Sequence, residues 1–133
     1  MTDLPKPPKR PCGTCPYRQD VPSGIWHRDE YEKLPKYDGY VQGQVMSGAL
    51  GLFMCHQRDG CLCAGWLQCH DTDDLVALRL NAVDPSAFGY TSDVPVFESG
   101  QAAHDHGVRE IDDVSPSARV KIDGLVRCRT TQN

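Results

Sequence analysis

Four groups of side chains in this chain could hold a soft metal ion: Cys12-Gly13-Thr14-Cys15, Cys55-His56, Cys61-Leu62-Cys63 and Cys69-His70. Two cysteines separated by two residues, one of them glycine, can direct both sulfurs at one ion while backbone N–H groups donate to the sulfurs, as in the knuckle of a tetrahedral zinc site. The remaining ligands must come from the cluster between residues 55 and 70. Cys128 has no partner near it in sequence and is assigned no ligand role. Seven thiols cannot all pair, so a complete disulfide framework is excluded.

Other chemistry is available to these residues. Cys12 and Cys15 could exchange thiol for disulfide, but such a pair normally follows a strand and opens a helix, whereas a proline-rich arm precedes this one. His56, His70, Asp71, Asp73 and Asp74 could serve an open metal site as acids or bases; the simpler reading of Asp71 to Asp74 is an acidic first helical turn. His104 and His106 sit two apart, which separates them on the helix expected there and makes them surface residues. No residue set demands catalysis, and an enzyme is not the expectation.

The elements that must position these groups divide unevenly. Residues 1–11 carry four of the ten prolines with Lys6, Lys9 and Arg10, the composition of a flexible arm. A single domain is expected over 12–133, since 133 residues with 39% hydrophobic content support one modest core. Its first half, 12–70, holds six of the seven cysteines and eight of the twelve glycines, too little regular structure to offset its ordering entropy by apolar burial alone. Metal binding supplies on the order of 10 kcal/mol of folding free energy and would staple it. The second half, 71–133, reads as helical.

Within these halves the patterning predicts a short helix from Trp26 to Leu34 stopped by Pro35, and helical structure after Trp66 running to Ala82 or Val83, either starting just after Cys63 and running through or starting afresh with Asp71 or Thr72 as cap. A loop should then dock Phe88, Tyr90 and Phe97, followed by a weak helix near Glu98–Ile111. A last helix should start at Ser115-Pro116, with an apolar stripe through Ala118, Ile122, Leu125 and Val126. Trp26 and Trp66 read as core anchors, Tyr17 as a cover over the metal site, and Arg18 as an ion-pair partner for Asp20. The fold class is therefore a small, mainly α, loop-rich domain stapled by cysteine-bound metal, with little or no β-sheet.

The strings Pro11-Cys12-Gly13-Thr14-Cys15-Pro16-Tyr17-Arg18, Phe53-Met54-Cys55-His56-Gln57 and Cys63-Ala64-Gly65-Trp66-Leu67 resemble an uncharacterised family of small cysteine-rich proteins of actinobacteria and their phages, a domain of unknown function. The resemblance covers about residues 11 to 83, and in longer members extends nearly to the C-terminus. It implies no activity. It does imply a common ligand set of Cys12, Cys15, Cys55 with His56, and Cys63, leaving Cys61 and Cys69-His70 to longer relatives. On that basis the expected metal ligands are Cys12, Cys15, Cys55 and Cys63, with His56 in reserve. A two-metal arrangement would add His56, Cys61, Cys69 and His70.

Four thiolates suit zinc or a [4Fe–4S] cluster. Zinc fits a structural role; Pro16 after Cys15 and apolar Phe53, Leu62 and Trp66 would fit a shielded cluster. The net charge of −4 argues against generic nucleic-acid affinity, so a protein partner is expected for a binding or regulatory module. The N-terminal residues lack the apolar core of a secretory signal and no run reaches the ~18–20 apolar residues of a membrane span, which predicts a cytoplasmic chain.

Overall fold

The computed structural model describes residues 4–55 and 61–132, and side chains as far as Leu125. Its six α-helices are α1 (Arg28–Glu32), α2 (Val41–Ser47), α3 (Ala64–Cys69), α4 (Val76–Leu80), α5 (Gly100–Val108) and α6 (Pro116–Gln132). Among the described residues there is no sheet, only three isolated bridges: Lys6 with Cys61, Arg18 with Val96, and Met54 with Leu62. The mainly helical, loop-rich class is as the patterning predicts.

One core gathers side chains from both halves of the chain, from Cys15 and Tyr17 through Trp66 and Leu67 to Ala118 and Leu125. Trp26 and Trp66 are buried anchors in it. Its aromatic centre is a set of edge-to-face contacts: Tyr37 on Phe53 at 5.5 Å, Tyr37 on Trp66 at 5.4 Å and Tyr17 on Phe53 at 6.0 Å between ring centres. Such pairs add about 0.5–1.5 kcal/mol each beyond the area they bury. Helices α1 and α5 approach closely because residue 107 is glycine: a Cβ there would fall 2.2 Å from the Tyr31 ring.

The helix starts at α5 and α6 follow local chemistry. Ser99 accepts from the Ala102 N–H at 3.0 Å, and Ser115 accepts from the Ala118 N–H at 3.1 Å with Pro116 in the first helical position. Of the α6 stripe, Ala118 and Leu125 are buried and Ile122 packs on the core, while Val126 lies outside the described side chains.

Several expectations are corrected. The segment up to Val83 uses both expected starts, α3 directly after Cys63 and a cap at Asp71, but not as one helix: α3, a 3₁₀ turn over Thr72–Asp74, and α4, which ends at Leu80, follow one another. Asp71 accepts from the Asp73 N–H at 3.0 Å and starts the 3₁₀ turn, and the Val76 N–H is taken by the Gln44 side chain at 3.0 Å instead of a helical carbonyl. Pro35 does not simply stop the first helix; it opens a 3₁₀ turn over Leu34–Tyr37. Residues 5–11 of the arm are tied down, against the expectation of a free tail: Pro5 O accepts from Asp84 N (2.9 Å), Lys6 O from Leu62 N (3.0 Å), Pro8 O from the Tyr90 hydroxyl (2.9 Å) and Pro11 O from Arg18 (3.1 Å). Tyr90 and Phe97 pack on the core, but Phe88 is exposed. His106 is not a surface residue: its Nε2 donates to Val21 O at 2.6 Å and its ring lies 5.0 Å from Phe97.

Candidate metal centre

The Cys12–Cys15 loop is a tight turn, closed by the Cys15 N–H on Cys12 O at 3.0 Å and continued by the Arg18 N–H on Cys15 O at 3.0 Å. Trp26 holds it from outside, its indole N–H donating to Thr14 O at 2.8 Å. Arg18 is fixed beside it by a two-pronged contact with Asp20 (2.8 and 2.6 Å), the pairing anticipated from sequence.

The other two expected ligands come from a short ribbon. Cys55 N–H donates to Cys61 O at 2.8 Å and Cys63 N–H donates to Phe53 O at 2.9 Å, either side of the Met54–Leu62 bridge. Side chains alternate along such a pairing, so Cys55 and Cys63 share a face. Helix α3 then starts immediately after Cys63, and its second residue must be small. A Cβ at Gly65 would lie 2.5 Å from Cys15 Sγ and 2.7 Å from Tyr17 Cβ.

These elements bring four thiols into a chain of neighbours. Cys15 Sγ lies 3.8 Å from Cys63 Sγ, and Cys12 interacts with both Cys15 and Cys55. Among the described residues no group of three or more His, Cys, Asp or Glu side chains is placed to hold a metal ion. The thiols are strung in the order Cys55, Cys12, Cys15, Cys63. Cys15 and burial push the Cys12 thiol up against the downward pull of Cys55. Cys12 pulls Cys15 down, but Cys63 and burial outweigh it and push Cys15 well up. Negative charge gathers on such crowded sulfurs only with a cation among them, and four soft donors without a carboxylate fit zinc or iron.

The reserve ligands are placed differently. His56 lies outside the described residues. His70 has both ring nitrogens engaged, Nδ1 on Trp66 O at 2.8 Å and Nε2 on Asp38 Oδ1 at 2.7 Å. Cys69 lines a separate cavity of about 390 Å³ with Asp38, Tyr40 and Glu98; burial pushes its thiol up to about 12. The acidic residues Asp71 to Asp74 form the 3₁₀ turn described above.

One residue near the site carries no signal in the sequence. Asp38 receives the Gly100 and Gln101 N–H groups at 2.8 Å each as well as His70, tying α3 to α5. The Tyr17 hydroxyl and the Trp66 indole N–H are buried with no hydrogen-bond partner among the described residues. Tyr17 is fully buried, and its Cβ lies beside Gly65, next to Cys15 Sγ.

A model described as a family of unknown function, DUF6283, matches residues 7–129. No curated protein and no solved structure matches the chain.

Proposed function

The chain belongs to this family of unknown function, and we propose that it is a small metal-binding protein whose structural zinc site is formed by Cys12, Cys15, Cys55 and Cys63. The observation that carries this reading is the 3.8 Å between Cys15 Sγ and Cys63 Sγ. Sulfurs about 2.3 Å from a tetrahedral zinc lie about 3.8 Å apart, a spacing this pair matches. A [4Fe–4S] cluster places each thiolate on a different iron and needs its sulfurs farther apart.

In this reading the ion staples the ribbon to the Cys12–Cys15 turn, and no step of chemistry is asked of it. The work falls to exposed surface, as in a binding or regulatory module of the reducing cytoplasm. Tyr40 and Met46 are 82% and 80% exposed around α2, which suits a protein partner, and the net charge of −4 disfavours nucleic acid. No described helix is long and apolar enough to cross a membrane.

Metal analysis and visible spectra of protein purified without oxygen test this directly. One equivalent of zinc in colourless protein, replaced by cobalt with the spectrum of a tetrahedral thiolate site, is the expected result. A brown protein carrying iron and sulfide, or metal-free thiols in a folded chain, would overturn it.

A further inference from the structure

Among the described residues, five of the nine large hydrophobic side chains left exposed belong to α2, its flanks and the end of α4: Tyr40, Val45 (49%), Met46, Leu50 (41%) and Leu80 (61%). Helix α2 turns Gln44 inward onto Gly39, Asp74 and Val76, so Val45 and Met46 stand away from the core. Helix α4 packs beside α2. Asn81, next to Leu80, donates to Leu50 O at 3.1 Å and brings the end of α4 to the end of this stretch. Exposed apolar side chains grouped in this way mark a contact surface, and tyrosine and methionine are among the types enriched in one.

The charge beside this face is negative. Tyr40 is also a wall of the cavity of about 390 Å³ that holds Cys69, and the other walls carry Asp38, Asp71, Asp74 and Glu98. Asp38 is committed to His70 and to the Gly100 and Gln101 N–H groups, and Asp71 to the Asp73 N–H. The Asp74 and Glu98 side chains have no hydrogen bond or ion pair among the described residues. His70, the one lining residue able to carry positive charge, is already held by Asp38, and Arg79 on α4 is turned to Asp73 O. An ammonium or guanidinium group entering beside Tyr40 would therefore meet two open carboxylates and an aromatic ring.

We infer that this face docks an amphipathic helix of a partner protein, its apolar stripe on Val45, Met46 and Leu50 and a lysine or arginine reaching Asp74 and Glu98 beside Tyr40. The inference rests on the protein-partner part of the reading above, names the class of that partner, and asks nothing of the metal. A helix is favoured over an added strand because the described residues form no sheet whose edge a strand could extend. Helix α2 has seven residues and is about 10 Å long, so about two turns of a partner helix lie across it. The apolar contacts hold the partner and the carboxylates select it: an acidic residue in place of the lysine or arginine would set like charges side by side.

The test uses the full chain as purified and three fluorescent peptides of about 18 residues: an amphipathic leucine/lysine helix, the same helix with glutamate for lysine, and a leucine/lysine scramble without a stripe. Anisotropy gives the affinities, hydrogen exchange the footprint, and circular dichroism confirms that each variant is folded. The leucine/lysine helix should bind at least about tenfold more tightly than the other two and protect Val41–Ser47. Val45→Ser/Met46→Ser should weaken it about tenfold. Asp74→Asn/Glu98→Gln should do the same, whereas Asp112→Asn/Asp113→Asn, an equal loss of charge elsewhere, should leave it unchanged. A footprint away from α2, equal affinity for the lysine and glutamate helices, an equal effect of the control pair, or a dimer that Met46→Ser abolishes would overturn the inference with the protein-partner reading intact. Failure of all three peptides to bind, with binding of a single-stranded or duplex oligonucleotide instead, overturns that reading as well.

Discussion

Gly65 stands where any side chain would run into Cys15: a Cβ built there would lie 2.5 Å from Sγ. The same Cβ would press on Tyr17, so neither neighbour can yield without disturbing the turn that carries the first two thiols. In a helix, alanine normally gains about 1 kcal/mol over glycine. At position 65 overpacking reverses the sign, and Gly65→Ala should lose about 1–3 kcal/mol. Gly43, inside α2 with open space around its Cβ direction, is the matched control, and Gly43→Ala should gain about 0.5–1 kcal/mol. Urea midpoints of the two variants decide it; shifts of the same sign would remove the close approach as an explanation.

On the zinc reading, position separates the thiols into ligands and bystanders. Cys63 touches Cys15, whereas Cys69 sits in a different cavity as a half-buried thiol. Cys63→Ser should therefore lose most of the bound zinc and unfold at ordinary temperature, since the ion's binding energy is folding energy. Cys69→Ser should keep one equivalent and lose about 1 kcal/mol from placing a hydroxyl where a thiol packed. Zinc content with circular dichroism reads both, and retention of zinc in Cys63→Ser would refute the ligand set.

Asp38 connects the two halves of the chain electrostatically. Burial alone would raise its carboxyl, but hydrogen bonds from His70 and from the Gly100 and Gln101 N–H groups hold it below the usual carboxylate value. A carboxyl whose folded pKa is depressed contributes stability that is present above its unfolded value near 3.8 and disappears as pH falls through the folded value. Asp38→Asn keeps one acceptor and loses the charge, which should cost about 1–3 kcal/mol. The gap between wild type and variant in urea titrations should stay flat from pH 8 to about pH 5 and narrow only at the acid end. A gap that widens on acidification would contradict the assignment.

What could be read ahead of the structure was what local chemistry decides. Ser115-Pro116 caps and opens α6, Trp26 and Trp66 are buried, and Arg18 pairs with Asp20, because each depends on neighbours in sequence or on bulk hydrophobicity. The misreadings share the opposite cause. The segment after Trp66 has helical periodicity to Val83, yet its last helix spans only Val76–Leu80 and starts where Val76 bonds to Gln44, a residue 32 positions away. The proline-rich arm reads as free until its carbonyls meet Leu62, Asp84 and Tyr90. Helix α2 shows no apolar stripe, since its buried residue is a glutamine. At the candidate site, the Cys12–Cys15 turn is legible from its spacing, but the nearness of Cys63 to Cys15 depends on a ribbon of two short segments that no periodicity announces.

Gln44 is the sharpest case of a residue whose role comes only from distant partners. It is fully buried; its amide nitrogen donates to Gly39 O at 3.1 Å and Asp74 O at 2.6 Å, and its carbonyl oxygen accepts from Val76 N at 3.0 Å. One side chain thus holds α2, the 3₁₀ turn and the start of α4 together. Gln44→Ala removes all three bonds and leaves buried backbone groups unpaired, a loss of about 2–4 kcal/mol. Gln44→Glu is nearly the same shape but turns an ionised oxygen onto two carbonyls, and at neutral pH it should cost more than the alanine, about 3–5 kcal/mol. Its folded pKa must lie above the unfolded value of about 4.3, because only the protonated acid can donate to those carbonyls. Stability of this variant relative to wild type should therefore fall as pH rises from about 4.3 through that raised pKa. Urea midpoints at pH 5 and pH 8 measure it, and a deficit independent of pH would show that the side chain had swung out of the core instead of staying against Asp74.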